Sequence, residues 1–399
     1  MSLKPFFIFL TIFIVNGCSY IPFEKKEIEN EKIIELIKES DIENKEFTQF
    51  LLLQGFTENE LPIKNWGLKE LIYAQQFFNP KLKTGKIELE LIKANEATAK
   101  LYPKSSLGIK IGRETTNKEL TEKVFGADFS FTFESANKRL IRHELALNES
   151  QLALINLHLI NWKLRTKLFD KLFDFIESKE ILKLSKDELR LKQSILNMTR
   201  KKFQAGIASQ IDIDTKDMEM NIINQEVLKL QMDQEIIRNQ IASLIGLNTQ
   251  KFNLIPLDSK KITSILDKMT VSYLKDKKLQ ELQEISLMQR LDLRKGLANY
   301  AIAEAKLKLE VANQYPDYNF TPAYIYEFGT RFWSLGIDAI ISSAARNKAF
   351  VKKAQKFRDL EASKVITLQL SAINNIEQLQ LNFSNKIEEL NNSKKMMQT

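Results

Sequence analysis

The sequence predicts a mainly α-helical chain with a smaller membrane β component, built as a tandem repeat of helix, strand, strand and long helix. Three observations carry this. Glycine (12) and proline (8) are scarce among 399 residues. That is about 3% and 2%, against usual values of about 7% and 5%, and it excludes a turn-rich sandwich of short strands as the bulk of the fold. Residues 136–205 contain neither residue and carry one uninterrupted helical periodicity. Short segments of alternating apolar and polar residues occur in two pairs, each pair placed between helical stretches.

The first repeat spans 66–246. From Trp66, the spacing of Leu68, Leu71, Ile72, Gln75 and Phe78 is helical, and Asn79-Pro80 breaks or kinks the run. A second helix follows from about Lys81 to Tyr102, before Pro103. Strands are predicted over 105–113 and 127–135. Leu107, Ile109 and Ile111 alternate with Gly108, Lys110 and Gly112, and Phe129, Phe131 and Phe133 alternate with Ser130 and Thr132. The polar stretch from Glu114 to Gly126 reads as an exposed loop. In the long helix, Ile141, Leu145, Asn148, Leu152, Ile155, Leu159 and Trp162 step by alternating fours and threes. A second ridge runs through Leu147, Leu154, Leu157, Leu164 and Leu168, so the helix packs against neighbours on both sides. Gly206-Ile207-Ala208-Ser209-Gln210 breaks it, and a return helix carrying Met220, Ile223, Val227, Leu230, Ile237, Ile241 and Leu244 stops at Gly246.

A mixed connector, 247–280, contains Pro256. The second repeat, 281–399, opens at Arg290-Leu291-Asp292-Leu293 as the first did at Asn79-Pro80-Lys81-Leu82, and its short helix ends near Tyr315-Pro316 as the other ended near Tyr102-Pro103. Strands are predicted over 318–327 and 332–341. Phe320, Pro322, Tyr324 and Tyr326 share one face; Trp333, Leu335, Ile337 and Ala339 share the next, opposite Ser334, Gly336 and Asp338. A long helix fills 343–399.

The N-terminus reads as an address. Lys4 precedes a ten-residue apolar core from Phe6 to Val15, too short to span a bilayer as a mature helix but suited to a signal peptide over 1–17. The core ends in Val15-Asn16-Gly17-Cys18, and Cys18 is the only cysteine. This resembles a bacterial lipoprotein signal, in which the cysteine is lipidated and becomes the mature N-terminus; an ordinary secretory signal is the plainer reading. In that class, non-acidic Ser19 goes with delivery to the outer membrane. Several acyl chains on one cysteine anchor firmly, at about 0.8 kcal/mol per buried CH₂. Residues 18–65 form a charged, weakly periodic lead-in, extended or partly helical.

Length arithmetic turns the repeat into a wall. Helix 136–205 is about 105 Å long, and the stretches 71–102 and 211–245 are about 48 and 52 Å, so the two shorter pieces placed end to end match the long one. Each strand is long enough to cross an outer membrane at a tilt. Four strands cannot close a barrel, and lipid forbids an open sheet edge. Membrane strands therefore require oligomerisation, and three copies supply twelve strands. Twelve strands are enough for a small barrel.

These features, together with Asn79-Pro80-Lys81-Leu82, Phe203-Gln204-Ala205-Gly206-Ile207-Ala208-Ser209-Gln210-Ile211-Asp212, Leu244-Ile245-Gly246-Leu247, Arg290-Leu291-Asp292-Leu293 and Phe332-Trp333-Ser334-Leu335-Gly336-Ile337, resemble the TolC-type outer-membrane efflux proteins over about 66–399. The resemblance implies a homotrimer: a trimeric twelve-stranded β-barrel in the outer membrane continued by a long α-helical tunnel in the periplasm, a passive exit channel receiving substrate from an inner-membrane pump through a periplasmic adaptor. It also implies that the turn Gly206, Ile207, Ala208, Ser209, Gln210 is the adaptor-contacting tip. The chain departs from the family in two places. Glu134-Ser135-Ala136-Asn137-Lys138 and Ser342-Ser343-Ala344-Ala345-Arg346 lack the glycine usual between strand and long helix. Ser135 to Gly206 is 71 residues, and the same interval from Ser342 reaches position 413, beyond Thr399. A C-terminally shortened member is expected, with the seam Val365, Leu368, Ile376 and Leu379 left exposed.

Asp212 and Asp214 read first as helix N-terminal caps and dipole partners, and second as tunnel-mouth acids that attract cations. Phe129, Phe131, Phe133, Tyr324, Tyr326 and Trp333 read as lipid-facing barrel residues, some in interfacial girdles, against the alternative of a soluble sheet packed on helices. His143 and His158 lie about 22 Å apart along one helix and cannot share a metal within one chain. Neither metal nor cofactor is expected. The net charge of +8 over 399 residues is mild and gives no reason to expect nucleic acid. No nucleophile–base set or phosphate loop is present, so no enzyme is expected. Two alternatives to a channel are a non-conducting periplasmic coiled-coil lipoprotein scaffold and a non-functional truncated channel remnant.

Overall fold

The computed structural model describes residues 21–27, 41–113, 123–264, 278–327 and 329–397. Cys18 and Ser19 lie outside the described residues. Among those described, nine α-helices and four strands follow the repeat: α1 Lys45–Leu53, α2 Leu68–Phe78, α3 Pro80–Ala99, β1 Ser106–Arg113, β2 Lys123–Phe133, α4 Lys138–Gln204, α5 Gln210–Ile245, α6 Thr249–Asn253, α7 Leu279–Gln289, α8 Leu291–Ala312, β3 Tyr318–Glu327, β4 Thr330–Ala339 and α9 Ala344–Met396. Against the expected ranges, β2 starts four residues earlier and β4 two residues earlier; β3 has the expected bounds.

The strands form one antiparallel sheet in the order β1-β2-β3-β4. Beside it, α4 packs between α3 and α8, and α8 also packs on α9. The helix order α3-α4-α8-α9 therefore repeats the strand order, so each strand runs on into the helix below it. Farther from the sheet, α5 lies along α4 and α7 along α9. Sixty-seven residues make α4 about 100 Å long.

Glycine sets the closeness of the short helices to the long ones, at matching places in the two repeats. A Cβ on Gly85 of α3 would stand 3.0 Å from Leu157 of α4; one on Gly296 of α8 would stand 3.3 Å from Val365 and 3.1 Å from Leu368 of α9. This corrects the exposed seam expected along 343–399. Val365 is buried over Gly296 and Ile376 is half-buried, whereas Leu379 is exposed.

The core sits beside the middle of α4, where pieces remote in sequence meet. Phe47 and Leu51 of α1, Trp66, Leu71, Leu168, Leu172, Ile241, Ile245, Phe252 and Ile262 are all buried together. Trp66 N–H donates to Pro256 O (3.0 Å) and Asp258 N–H to Trp66 O (2.9 Å), stitching the lead-in to the connector as a single parallel bridge. The two half-length helices α3 and α5 meet the same region. Asn79 both ends α2 and caps α3, its Oδ1 accepting from Lys81 N–H at 2.9 Å, with Pro80 in the first helical turn where its missing N–H is tolerated. Its Nδ2 donates to Leu244 O at 2.8 Å, and fully buried Gln75 donates to Leu244 O and Leu164 O, both at 3.1 Å. Gly246, at φ +90°, ends α5 directly against Phe78; a Cβ there would stand 2.6 Å from Phe78 O.

The elbow joining β2 to α4 is a tight turn without glycine. Lys138 N–H donates to Ser135 O at 3.2 Å, and both central residues, Ala136 (φ 53°) and Asn137 (φ 56°), are left-handed. That is the arrangement glycine and asparagine usually fill. The Asp317 side chain and the Tyr315 carbonyl of the second repeat hold it. Asp317 accepts from Ser135 N–H (2.9 Å) and from the buried Lys138 ammonium (2.8 Å), which also donates to Tyr315 O (2.7 Å). Arg142 forks onto Glu134. The corresponding elbow below β4 has no left-handed residue: Ser343 caps α9 by accepting from Arg346 N–H at 3.3 Å.

Near the far end of α4, Glu219 of α5 accepts from Lys192 of α4 (2.9 Å) and Lys216 (2.7 Å). These two ammonium groups pull its carboxyl down to about 2.

Two outcomes are expected. Ala136→Gly relieves the left-handed strain and stabilises the fold by about 1 kcal/mol, read as a higher unfolding temperature; Ala345→Gly, inside α9, gives no gain. The Glu219 tie is complete above the ordinary carboxyl range near pH 4.5 and fades as pH falls towards 2. Glu219→Gln therefore lowers the melting temperature at pH 7, and the difference from wild type shrinks to nothing in scans approaching pH 2.

Candidate functional site: a two-faced sheet and a helical tip

Directly opposed residues in antiparallel strands share a face, so the register assigns every side chain of the sheet. One face is built from rows such as Leu107–Phe129, Ile109–Ala127–Tyr324–Trp333, Ile111–Phe125–Tyr326–Arg331 and Phe133–Tyr318–Ala339. Phe131, Phe320 and Ile337 form another row of it, with the two phenylalanine rings stacked 5.6 Å apart. Phe129, Phe131, Phe133, Tyr324, Tyr326 and Trp333 all lie on this face. It is also the more exposed one: Ile111 is 82% and Trp333 78% accessible.

The other face carries Gly108, Lys110, Gly126, Asp128, Ser130, Thr132, Asn319, Thr321, Ser334, Gly336 and Asp338, with apolar Val124, Ile325 and Phe332 confined to its hairpin end. Its groups bond to one another. Asn319 Oδ1 accepts from Ser130 (3.0 Å) and Thr132 (3.4 Å), Thr321 donates to Ser130 (3.3 Å), and Lys110 pairs with Asp128 at 3.7 Å. Where this face meets the helices a cleft of about 820 Å³ opens, lined by Thr132, Lys138, Asp317, Asn319, Asp338 and Arg346 among others. The apolar side is thus the more exposed, and the polar side is the one continuous with the helix layer at this cleft. β1 and β4 each leave one edge unpaired among the described residues.

At the opposite end of the molecule, α4 closes with Gly206 at φ +73°. Ile207 N–H donates to Lys202 O (2.8 Å) and Gly206 N–H to Phe203 O (2.9 Å), a Schellman turn that only a left-handed residue permits. Ser209 then caps α5. Asp212 accepts from Ser209 N–H (2.8 Å) and Oγ–H (2.7 Å), while Ser209 Oγ accepts from Asp212 N–H (3.3 Å). The Ser209 backbone N–H, then its hydroxyl, holds the Asp212 carboxyl below its ordinary range. Asp212 is therefore engaged as a cap, and Asp214 accepts from Gln210 Nε2 at 2.8 Å. Between the two helix ends, Ile207 and Ile211 are each 76% exposed on the tip.

Sequence reasoning placed these residues on their elements but missed the elbow network of Glu134, Lys138, Arg142 and Asp317, whose members lie up to 183 positions apart and share no motif. Among the described residues, no cluster of histidine, cysteine, aspartate or glutamate could hold a metal ion, and no helix is long and apolar enough to cross a membrane.

No protein-family model and no curated protein matches the sequence. Solved structures do match. The chain is similar to the outer-membrane channel OprN, at 16% identity and TM-score 0.63, over 81% of this chain and 75% of that one. It is similar to the outer membrane protein VceC of Vibrio cholerae, at 13% identity and TM-score 0.67, over 82% and 81% of the two chains. It is also similar to the CmeC outer membrane channel of Campylobacter jejuni, at 13% identity and TM-score 0.61, over 95% and 83%. At these identities the likeness is one of fold: this chain has the fold that these outer-membrane proteins share.

Proposed function

We propose that this protein is the passive outer-membrane exit channel of a tripartite efflux or secretion system. It works as a homotrimer whose twelve strands form a barrel in the outer membrane and whose helices continue as a tunnel in the periplasm. The observation that carries the reading is the sheet: an exposed apolar face, a hydrogen-bonded polar face, and two open edges. In lipid, open edges demand partners, and identical neighbours supply them by joining β1 of one copy to β4 of the next. The polar faces then line a water-filled path. The cleft at Thr132, Asn319 and Asp338 becomes the passage from barrel to tunnel. The protein does no chemistry; an inner-membrane pump supplies the energy and a periplasmic adaptor docks at the tip Gly206–Gln210, where exposed Ile207 and Ile211 offer apolar anchors. Cys18 carries the lipid anchor, and Asp214 stands beside the tunnel mouth. A scaffold has no use for an outward apolar sheet of membrane-spanning length.

The deciding experiment uses full-length protein extracted in detergent. A trimeric mass and discrete conductance steps in planar bilayers are expected. A monomer, or protein that leaves bilayers silent, overturns the reading. Separately, cells fed radiolabelled palmitate should label the wild-type protein and not the Cys18→Ser variant; label retained by the variant would exclude Cys18 as the anchor.

A further inference from the structure

The apolar face of the sheet carries charge at one end only. Arg113, Lys123 and Arg331 lie on it, all at the hairpin end, farthest from the helices. Arg113 and Lys123 stand directly opposite each other across the β1–β2 pair. Like charges so placed repel, and strands normally avoid the arrangement. Among the described residues nothing relieves it; Glu114, Glu119 and Glu122 of the connecting segment lie outside them. All three side chains are exposed, and none makes an ion pair with a described residue. The acids of the strands, Asp128, Glu327 and Asp338, lie on the other face: Asp128 opposes Gly108, Glu327 opposes Thr330 and Asp338 opposes Asn319. The opposite end of the apolar face is uncharged, ending in Phe133, Tyr318 and Ala339.

We infer that Arg113, Lys123 and Arg331 form a cationic rim that binds the phosphate groups of lipid headgroups in the leaflet surrounding the hairpin end of the barrel. This rests on the barrel reading above. The position fits: the cations border Ile111, Phe125 and Tyr326, so acyl chains covering these residues bring headgroups level with the rim. The chemistry also fits. Two arginine forks can take phosphate oxygens in pairs, and the lysine adds a point charge. A bound anion between Arg113 and Lys123 converts their repulsion into a shared attraction. Repeated three times around a closed barrel, the rim becomes a belt that selects anionic lipid and fixes the depth at which the barrel sits.

Trp333, two rows from the Arg113–Lys123 pair, reports which lipid lies against the sheet. The full-length trimer is reconstituted in vesicles of phosphatidylcholine and phosphatidylglycerol, with one lipid brominated at a time, and tryptophan quenching is read after subtracting the signal of Trp333→Phe. For wild type, a roughly fivefold preference for the anionic lipid is expected, the order of one basic side chain near a charged surface. In the triple variant R113Q/K123Q/R331Q the preference falls to about one, while quenching by brominated phosphatidylcholine is unchanged. Equal preference in wild type and variant overturns the rim. A preference abolished by millimolar inorganic phosphate also overturns it, as a site for free anions. If brominated phosphatidylcholine fails to quench Trp333 in wild type, the barrel reading itself fails and the rim falls with it.

Discussion

The pairing of β2 with β3 makes two repeats into one wall. Phe125 to Phe133 of the first repeat align with Tyr318 to Tyr326 of the second, residues nearly two hundred positions apart. Without that ladder, each repeat would be an isolated hairpin on a stalk, and isolated two-stranded ribbons are marginal in water. The seam is reinforced at its lower end by the Lys138–Asp317 pair, one residue from each repeat. Such a pair is weak evidence of stability, since desolvation offsets much of the attraction. Its value is directional. The ammonium bridges Asp317 and Tyr315 O while Asp317 also holds Ser135 N–H, and together they fix the angle at which strands pass into helices.

The second constraint lies halfway down α4. Phe47, Trp66, Leu172, Ile245 and Phe252 come from five separate stretches of chain and share one buried cluster. A helical wall one layer thick has little interior, so its side chains cannot all be covered from within. Concentrating the buried residues at one level gives the rod a girdle, and the free ends of α3 and α5 are locked there by Gln75, Asn79 and Gly246.

Much of this was legible in the sequence, and the reasons differ by element. Alternation placed the strands, because an outward apolar face and a polar face leave a period of two in plain view. Asn79-Pro80, Gly206 and Gly246 marked helix ends because each answers a local backbone need. The elbow at Ala136-Asn137 was not legible: two left-handed non-glycine residues are selected by Asp317, which is distant in sequence. The burial of α1 was equally hidden, because the lead-in is charged and only Phe47 and Leu51 of its short helix turn inward. The rim of Arg113, Lys123 and Arg331 looked like three ordinary surface charges until register put all three on one face.

The two faces of the sheet also differ in bulk. Phenylalanine, tyrosine, tryptophan and isoleucine crowd one side, while Gly108, Gly112, Gly126, Gly336, Ser130 and Ser334 thin out the other, where Ile325 and Phe332 are the bulky exceptions. A ribbon wedged open along one surface and pared down along the other bends towards the thinner surface. The sign of curvature this favours is written into side-chain volume, and in the trimer proposed above it would let each protomer meet the next as an arc of a cylinder.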